Sequence, residues 1–285
     1  MTNNQSIYGL LILLFLVGQS CQEIVDLGPS ELPPRLVVDG QITNEWRRHE
    51  LHLTVSGDYD QNGDYKPATD AVVYLSDGQQ TIYYAETEPG RYLTDSLQGV
   101  PGRSYTLTIQ WQGTTYTATD SMGAVPEAFE PVSFTSELGF RQFEYRRHQF
   151  GFAHPNQWQL IVHRADTSTA PPVEEPYYGQ QVGQVILPPG DTRFTFFTHT
   201  NIEVSGLMNF EDAHFYGFRP GRWVTQKRFS LSVAYYDYLR GVFLETEWRE
   251  SLFAGTPANP RGNVSQGALG FFSASAVRTE RFRLE

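Results

Sequence analysis

The chain is 285 residues long and carries 32 acidic against 21 basic side chains, a net charge of −11, with a single cysteine. No basic excess is available to displace counterions, which argues against nucleic-acid binding. One thiol leaves no pair for a disulfide and no set for a thiolate-bound cluster, so the fold must be held by core burial, for which this length suffices as one large or two ordinary domains.

In chain order, the first element is the apolar run Ile7 to Val17. As a helix it reaches roughly 17 Å, against a hydrocarbon core of about 30 Å, so it is too short to span a membrane and has the length of an export signal. It closes on Gly18-Gln19-Ser20-Cys21, which resembles a bacterial lipoprotein signal. The resemblance implies that residues 1–20 are a signal peptide and that Cys21 is the lipid-attachment site, acylated as the first residue of the mature chain. A thiol so used is not a nucleophile. Residues 21–34 follow as a short extended tether, with Gly28-Pro29-Ser30 and Pro33-Pro34 and no periodicity.

Strands come next. Leu36 to Ile42 is one, and Leu51 to Ser56 alternates apolar and polar residues with the period of a half-buried strand. Ala71 to Leu75 and Thr81 to Ala85 read as a pair joined across Ser76-Asp77-Gly78. In Tyr105 to Trp111 the odd positions carry the large side chains, and Gln112-Gly113 turns the chain into Thr114 to Thr119. About seven short strands over roughly 90 residues predict an immunoglobulin-like or carboxypeptidase-regulatory-like β-sandwich over 35–122. Net charge changes from −9 over Cys21–Met122 to −2 over Gly123–Glu285, and Val125 to Pro131 is the expected boundary.

The second domain, 128–285, is also expected to be β-rich, which makes the chain all-β. Its candidate strands are Gln149 to Ala153, Gln157 to His163, Thr192 to Thr198 and Phe229 to Ala234, with Thr169 to Pro176 as a long loop. One helix is predicted over about 237–253, capped by Asp237, with Leu239, Val242, Phe243 and Thr246 on one face. Gly241 inside it costs about 1 kcal/mol against alanine. A Gly-, Pro- and Asn-rich stretch from Gly255 to Gly270 precedes a closing strand, Phe271 to Ala276.

Several segments together resemble an uncharacterised lipoprotein family of Bacteroidota, domain of unknown function 4249. They are Leu36 to Thr43, Gly90-Arg91-Tyr92, Pro101 to Ile109, Tyr235 to Leu239 and Asn263 to Phe272. The resemblance implies an outer-membrane lipoprotein that works beside a TonB-dependent receptor in nutrient uptake. It brings no catalytic residue, no cofactor and no metal; only Cys21 transfers.

Chemistry-bearing motifs are few. Asp58-Tyr59-Asp60-Gln61-Asn62-Gly63-Asp64 opens like an EF-hand calcium loop, but Thr69 stands where the bidentate glutamate belongs, and a polar hairpin turn explains the same residues. His49 and His52 are three apart on a predicted strand and point to opposite faces, unlike a zinc pair one helical turn apart. The histidines at 148, 154, 163, 199 and 214 are scattered, and Glu174-Glu175 and Glu211-Asp212 read as solvated surface. Asn263-Val264-Ser265 matches a glycosylation sequon that carries little weight in a bacterial lipoprotein. Of the 40 aromatic residues, Trp46 and Tyr177-Tyr178 are least easily explained as core. The expectation is a non-enzymatic accessory or binding subunit anchored to outer-membrane lipid through Cys21. The alternatives are a surface glycan-binding lipoprotein and, last, a hydrolase built from dispersed Asp, Glu and His.

Overall fold

The structure, a computed structural model, describes residues 33–57, 66–145, 148–150, 156–163, 173–174, 180–182, 185–187, 190–199, 214–246 and 260–285. Cys21, the loop 58–64 and Tyr177-Tyr178 lie outside them. Residues 34–57 and 63–285 belong to one compact unit.

The alternation seen in the sequence builds a nine-stranded first sheet. Its strands are β1 (Leu36–Thr43), β2 (Arg47–Val55), β3 (Lys66–Pro67), β4 (Val72–Ser76), β5 (Thr81–Glu88), β6 (Arg91–Leu97), β7 (Ser104–Trp111), β8 (Thr114–Ser121) and, from far along the chain, β19 (Leu269–Ser275). They run in the order β19-β1-β2-β6-β5-β4-β7-β8, with β3 added on β2. Leu36, Val38, Ile42, Leu51, Leu53, Val73, Leu75, Tyr105, Leu107 and Ile109 turn inward onto Phe272 and Ala274. The closing strand pairs with β1 in parallel, Asp39 opposite Phe271. This pairing needs glycine at 270, where φ is +87° and a Cβ would stand 1.9 Å from the Val38 carbonyl oxygen.

The two ends of this sheet are tied by Asn263. Its amide donates to the Thr119 and Phe272 carbonyls and accepts from the Phe272 amide. Asp120 on β8 accepts from the Ala274 amide. The result is a β-sandwich whose end strands are bridged, consistent with the expected class.

The second half contributes two facing sheets. One runs β14 (Gln180–Val182), β15 (Val185–Leu187), β17 (His214–Phe218), β10 (Phe140–Tyr145) and β9 (Thr135–Glu137). The other runs β11 (His148–Phe150), β16 (Thr192–His199), β12 (Asn156–Val162), β18 (Trp223–Ser230) and β20 (Val277–Arg283), with β13 (Val173–Glu174) on β16. Phe143, Leu160, Val162, Phe194, Tyr216, Phe218 and Val224 meet between them.

Three expectations are corrected. The strand expected over Phe229 to Ala234 ends at Ser230, and the helix starts at Val233 rather than at 237. Ser232 is the cap: its hydroxyl accepts from the Tyr235 amide, so Asp237 lies inside the helix, which the structure describes as Val233–Thr246. The stretch 169–176 is not wholly loop, since Val173–Glu174 pairs with β16. Leu239 and Phe243 are buried as expected, and Gly241 is explained by Pro260, whose Cβ would lie 3.1 Å from a Cβ there.

Candidate functional site

Four of the five segments that carry the family resemblance, all but Pro101 to Ile109 on β7, meet around the β19-β1-β2-β6 end of the first sheet. Asp39 on β1 lies opposite Phe271 on one side and His52 on the other. The first turns of the helix lay Tyr235 and Tyr238 over Phe271, with ring centroids 5.0 and 5.2 Å away. The Tyr235 hydroxyl hydrogen-bonds the Ser273 side chain, and burial, with the Asp39 charge behind it, pushes that phenol up. Loss of solvation on its packed side raises the Asp39 carboxyl, with His52 opposing and Glu50 reinforcing the effect.

From Asp39 a charged row runs across the sheet. His52 lies 2.9 Å from Glu50, Arg91 on β6 donates to the same carboxylate, and Arg91 also reaches Glu88 at 3.0 Å. The Arg91 guanidinium is what holds Glu50 below the usual carboxylate range. The arrangement sets carboxylates, an imidazole and a guanidinium in one mutually paired row beside two phenols packed on Phe271.

His49 is on the other face of β2, as the strand period requires. It is fully buried at a bulge between Arg48 and Glu50, where its backbone amide donates to the Thr94 hydroxyl. Its ring accepts from the Thr43 amide at Nδ1 and meets the Leu97 carbonyl at Nε2, 3.2 Å away, which fixes the tautomer with the proton on Nε2. Burial, reinforced by the charge of Arg47, pushes its pKa down to about 4. It is a neutral core histidine.

Trp46 sits between β1 and β2 and is 72% exposed, as its polar sequence context suggested. Its neighbour Glu45 is occupied by Lys227 at 2.6 Å. Where the later ligands of a calcium loop would fall, Lys66 and Pro67 pair with β2. No group of three or more His, Cys, Asp or Glu side chains that could hold a metal occurs among the described residues. No helix among them is long and apolar enough to cross a membrane.

One constellation was invisible in the sequence. Thr225 Oγ1 lies 2.8 Å from His163 Nε2, and His163 Nδ1 lies 3.6 Å from Asp191. The order is that of a nucleophile, a base and an orienting carboxylate. Thr225, however, stands within β18, between Ile161 and Arg281 in the ladder, so its own backbone is engaged in pairing rather than aimed at an oxyanion. At 3.6 Å the carboxylate is also too distant to orient the imidazole by a hydrogen bond.

The profile of a family described as Domain of unknown function (DUF4249) matches residues 22–281. No curated protein matches the chain. Among solved structures, the chain is similar to the three N-terminal domains of the Highly Immunogenic Outer Capsid protein (Hoc) of bacteriophage RB49, at 9% identity and a TM-score of 0.20. That similarity covers 70% of this chain and 64% of the phage structure.

Proposed function

The chain belongs to this family of unknown function, and from that membership we propose that it is a lipoprotein of the bacterial outer membrane. In this reading it is a non-enzymatic accessory or binding subunit beside a TonB-dependent uptake receptor. One observation carries the proposal. The apolar run of residues 7–17 closes on Gly18-Gln19-Ser20-Cys21, and the family match begins at the next residue, 22. The apolar run therefore stands outside the family's domain, as a removable signal would. Acylation at Cys21 would hold the protein firmly, because two or more chains bind a bilayer far better than one. Confinement to a surface raises the effective concentration near a membrane partner to the millimolar range, so modest contacts suffice.

The described polar groups favour binding over catalysis. His49 and Asp120 serve the sheets, and the Asp39–His52–Glu50–Arg91 row is an open surface that can receive a partner. Intact-mass analysis of the protein from native membranes tests the anchor: Cys21 is expected to carry the acyl mass, and Cys21→Ser should release the protein into the soluble fraction. Pulldown in neutral detergent tests the role, with a TonB-dependent receptor expected to co-purify. A free Cys21 thiol in the native protein would overturn the anchor, and absence of any receptor would overturn the accessory role.

A further inference from the structure

We propose that the chain carries a binding site for an acidic saccharide, a uronate- or sulfate-bearing sugar, in the groove between Arg35 and Arg261. This goes beyond anchorage and requires no acylation of Cys21, so either idea can fail while the other stands.

The groove is about 620 Å³, within the roughly 300–1,000 Å³ common to small-ligand sites. Its walls are the edge of β8, at Thr117 and Thr119, and the segment 260–269 with Asn263 and Ser265, while Arg35 enters from just before β1. Among the described residues no Asp or Glu lines it, in a chain of net charge −11. A region of positive charge in an acidic molecule marks where an anion is accepted.

The two guanidiniums are available. Arg261 is exposed and has no hydrogen-bond or ion-pair partner among the described residues. Arg35 makes one long contact, 3.5 Å from Nη1 to the Gly267 carbonyl, which steadies it over the turn and leaves most of its fork unused. Guanidinium forks match carboxylate and sulfate oxygens, and Ser265 Oγ, which accepts from the Thr117 amide and hydroxyl, keeps its own O–H to donate to a sugar oxygen.

The groove is also preorganised. Ser265 pairs with Thr117 through backbone and side chain, and Gln266 and Gly267 take left-handed conformations in a turn closed by the Ala268 amide on the Ser265 carbonyl. Asn263 is pinned to Phe272, and a Cβ on Gly262 would stand 2.0 Å from the Gly270 carbonyl oxygen. A rigid wall lowers the ordering cost of binding.

Isothermal titration of the full-length protein in a neutral detergent tests this, with trigalacturonate as the acidic probe and maltotriose as the neutral one. Vesicles containing phosphatidylglycerol supply a lipid phosphate for comparison. Trigalacturonate is expected to bind and maltotriose not to. Arg35→Gln and Arg261→Gln should each weaken binding by about tenfold or more, the loss of one charge-assisted hydrogen bond. Trp46→Ala should bind as the parent does, and Arg261→Gln should keep the parental melting temperature, since Arg261 has no partner among the described residues. Equal binding of the two trisaccharides, no heat with millimolar trigalacturonate, or full affinity in the Arg35→Gln/Arg261→Gln variant would each overturn the proposal. So would arginine-dependent capture by the vesicles without trigalacturonate binding, which would make the groove a headgroup contact.

Discussion

His49 makes the stability of the first sheet depend on pH in a way that can be calculated. Its ring is fully buried, uses both nitrogens, and titrates at about 4 rather than 6.5. The unfolded chain therefore takes up a proton in the interval where the folded chain does not. Stability from this group is complete above pH 6.5, falls as pH drops through that value, and reaches its floor below about 4. The fall is worth roughly 3 kcal/mol over that window, a large part of a typical folding free energy. His49→Gln removes the titration while keeping a donor for the Leu97 carbonyl. It should cost about 1–2 kcal/mol at pH 7 through the unsatisfied Thr43 amide, yet lose less than the parent as the pH is lowered. Urea unfolding of both proteins at pH 7.0, 5.5 and 4.5 isolates the group, because the carboxylates titrate identically in each. Parallel pH profiles, or a His49 ring resonance that titrates above pH 6, would refute the reasoning.

Other substitutions separate structural positions from surface ones. Gly270→Ala drives a Cβ into the Val38 carbonyl at a positive φ and should prevent β19 from pairing with β1, seen as loss of the cooperative melt by circular dichroism. Asn263→Ala removes three hydrogen bonds that bridge the sheet ends and should cost about 2–3 kcal/mol in urea unfolding. Glu50→Gln breaks contacts with Arg91 and His52 whose side chains are one-third to one-half exposed, so only a small loss of stability is expected in urea unfolding at pH 7, shrinking further in high salt.

Legibility followed the range of the interactions. Tyr105 to Trp111 could be read because a half-buried strand writes its period into seven consecutive residues, and Gln112-Gly113 supplied the positive φ values its turn uses. Phe229 to Ala234 misled for the same reason. Phe-Ser-Leu-Ser-Val-Ala alternates like a strand, yet Ser232 caps a helix in the middle of it. Asp237 offered an equally good local cap, and local chemistry could not choose between them. The partner of β19 had no local signal at all, since β1 lies at the opposite end of the domain sequence. Thr225, His163 and Asp191, like Arg35 and Arg261, are brought together only by the ladder and the returning segment.

That returning segment ties both halves of the chain into one cooperative system. β19 belongs to the first sheet and β20 to the third, and only Ala276 separates them. Ala276 is fully buried; its amide donates to the Ser230 hydroxyl and its carbonyl accepts from the Ser230 amide. Asn44 clamps both backbone groups of Val277, and Lys227 on β18 holds Glu45 in the β1–β2 turn. Breaking the first sheet must therefore release a strand that the third sheet needs, and the reverse holds too. Native-state hydrogen exchange is expected to give the β7 and β12 amides the same opening free energy, within about 1 kcal/mol. A β12 that opens several kcal/mol more readily than β7 would show that the halves unfold separately, and that the junction at Ala276 is a hinge instead of a weld.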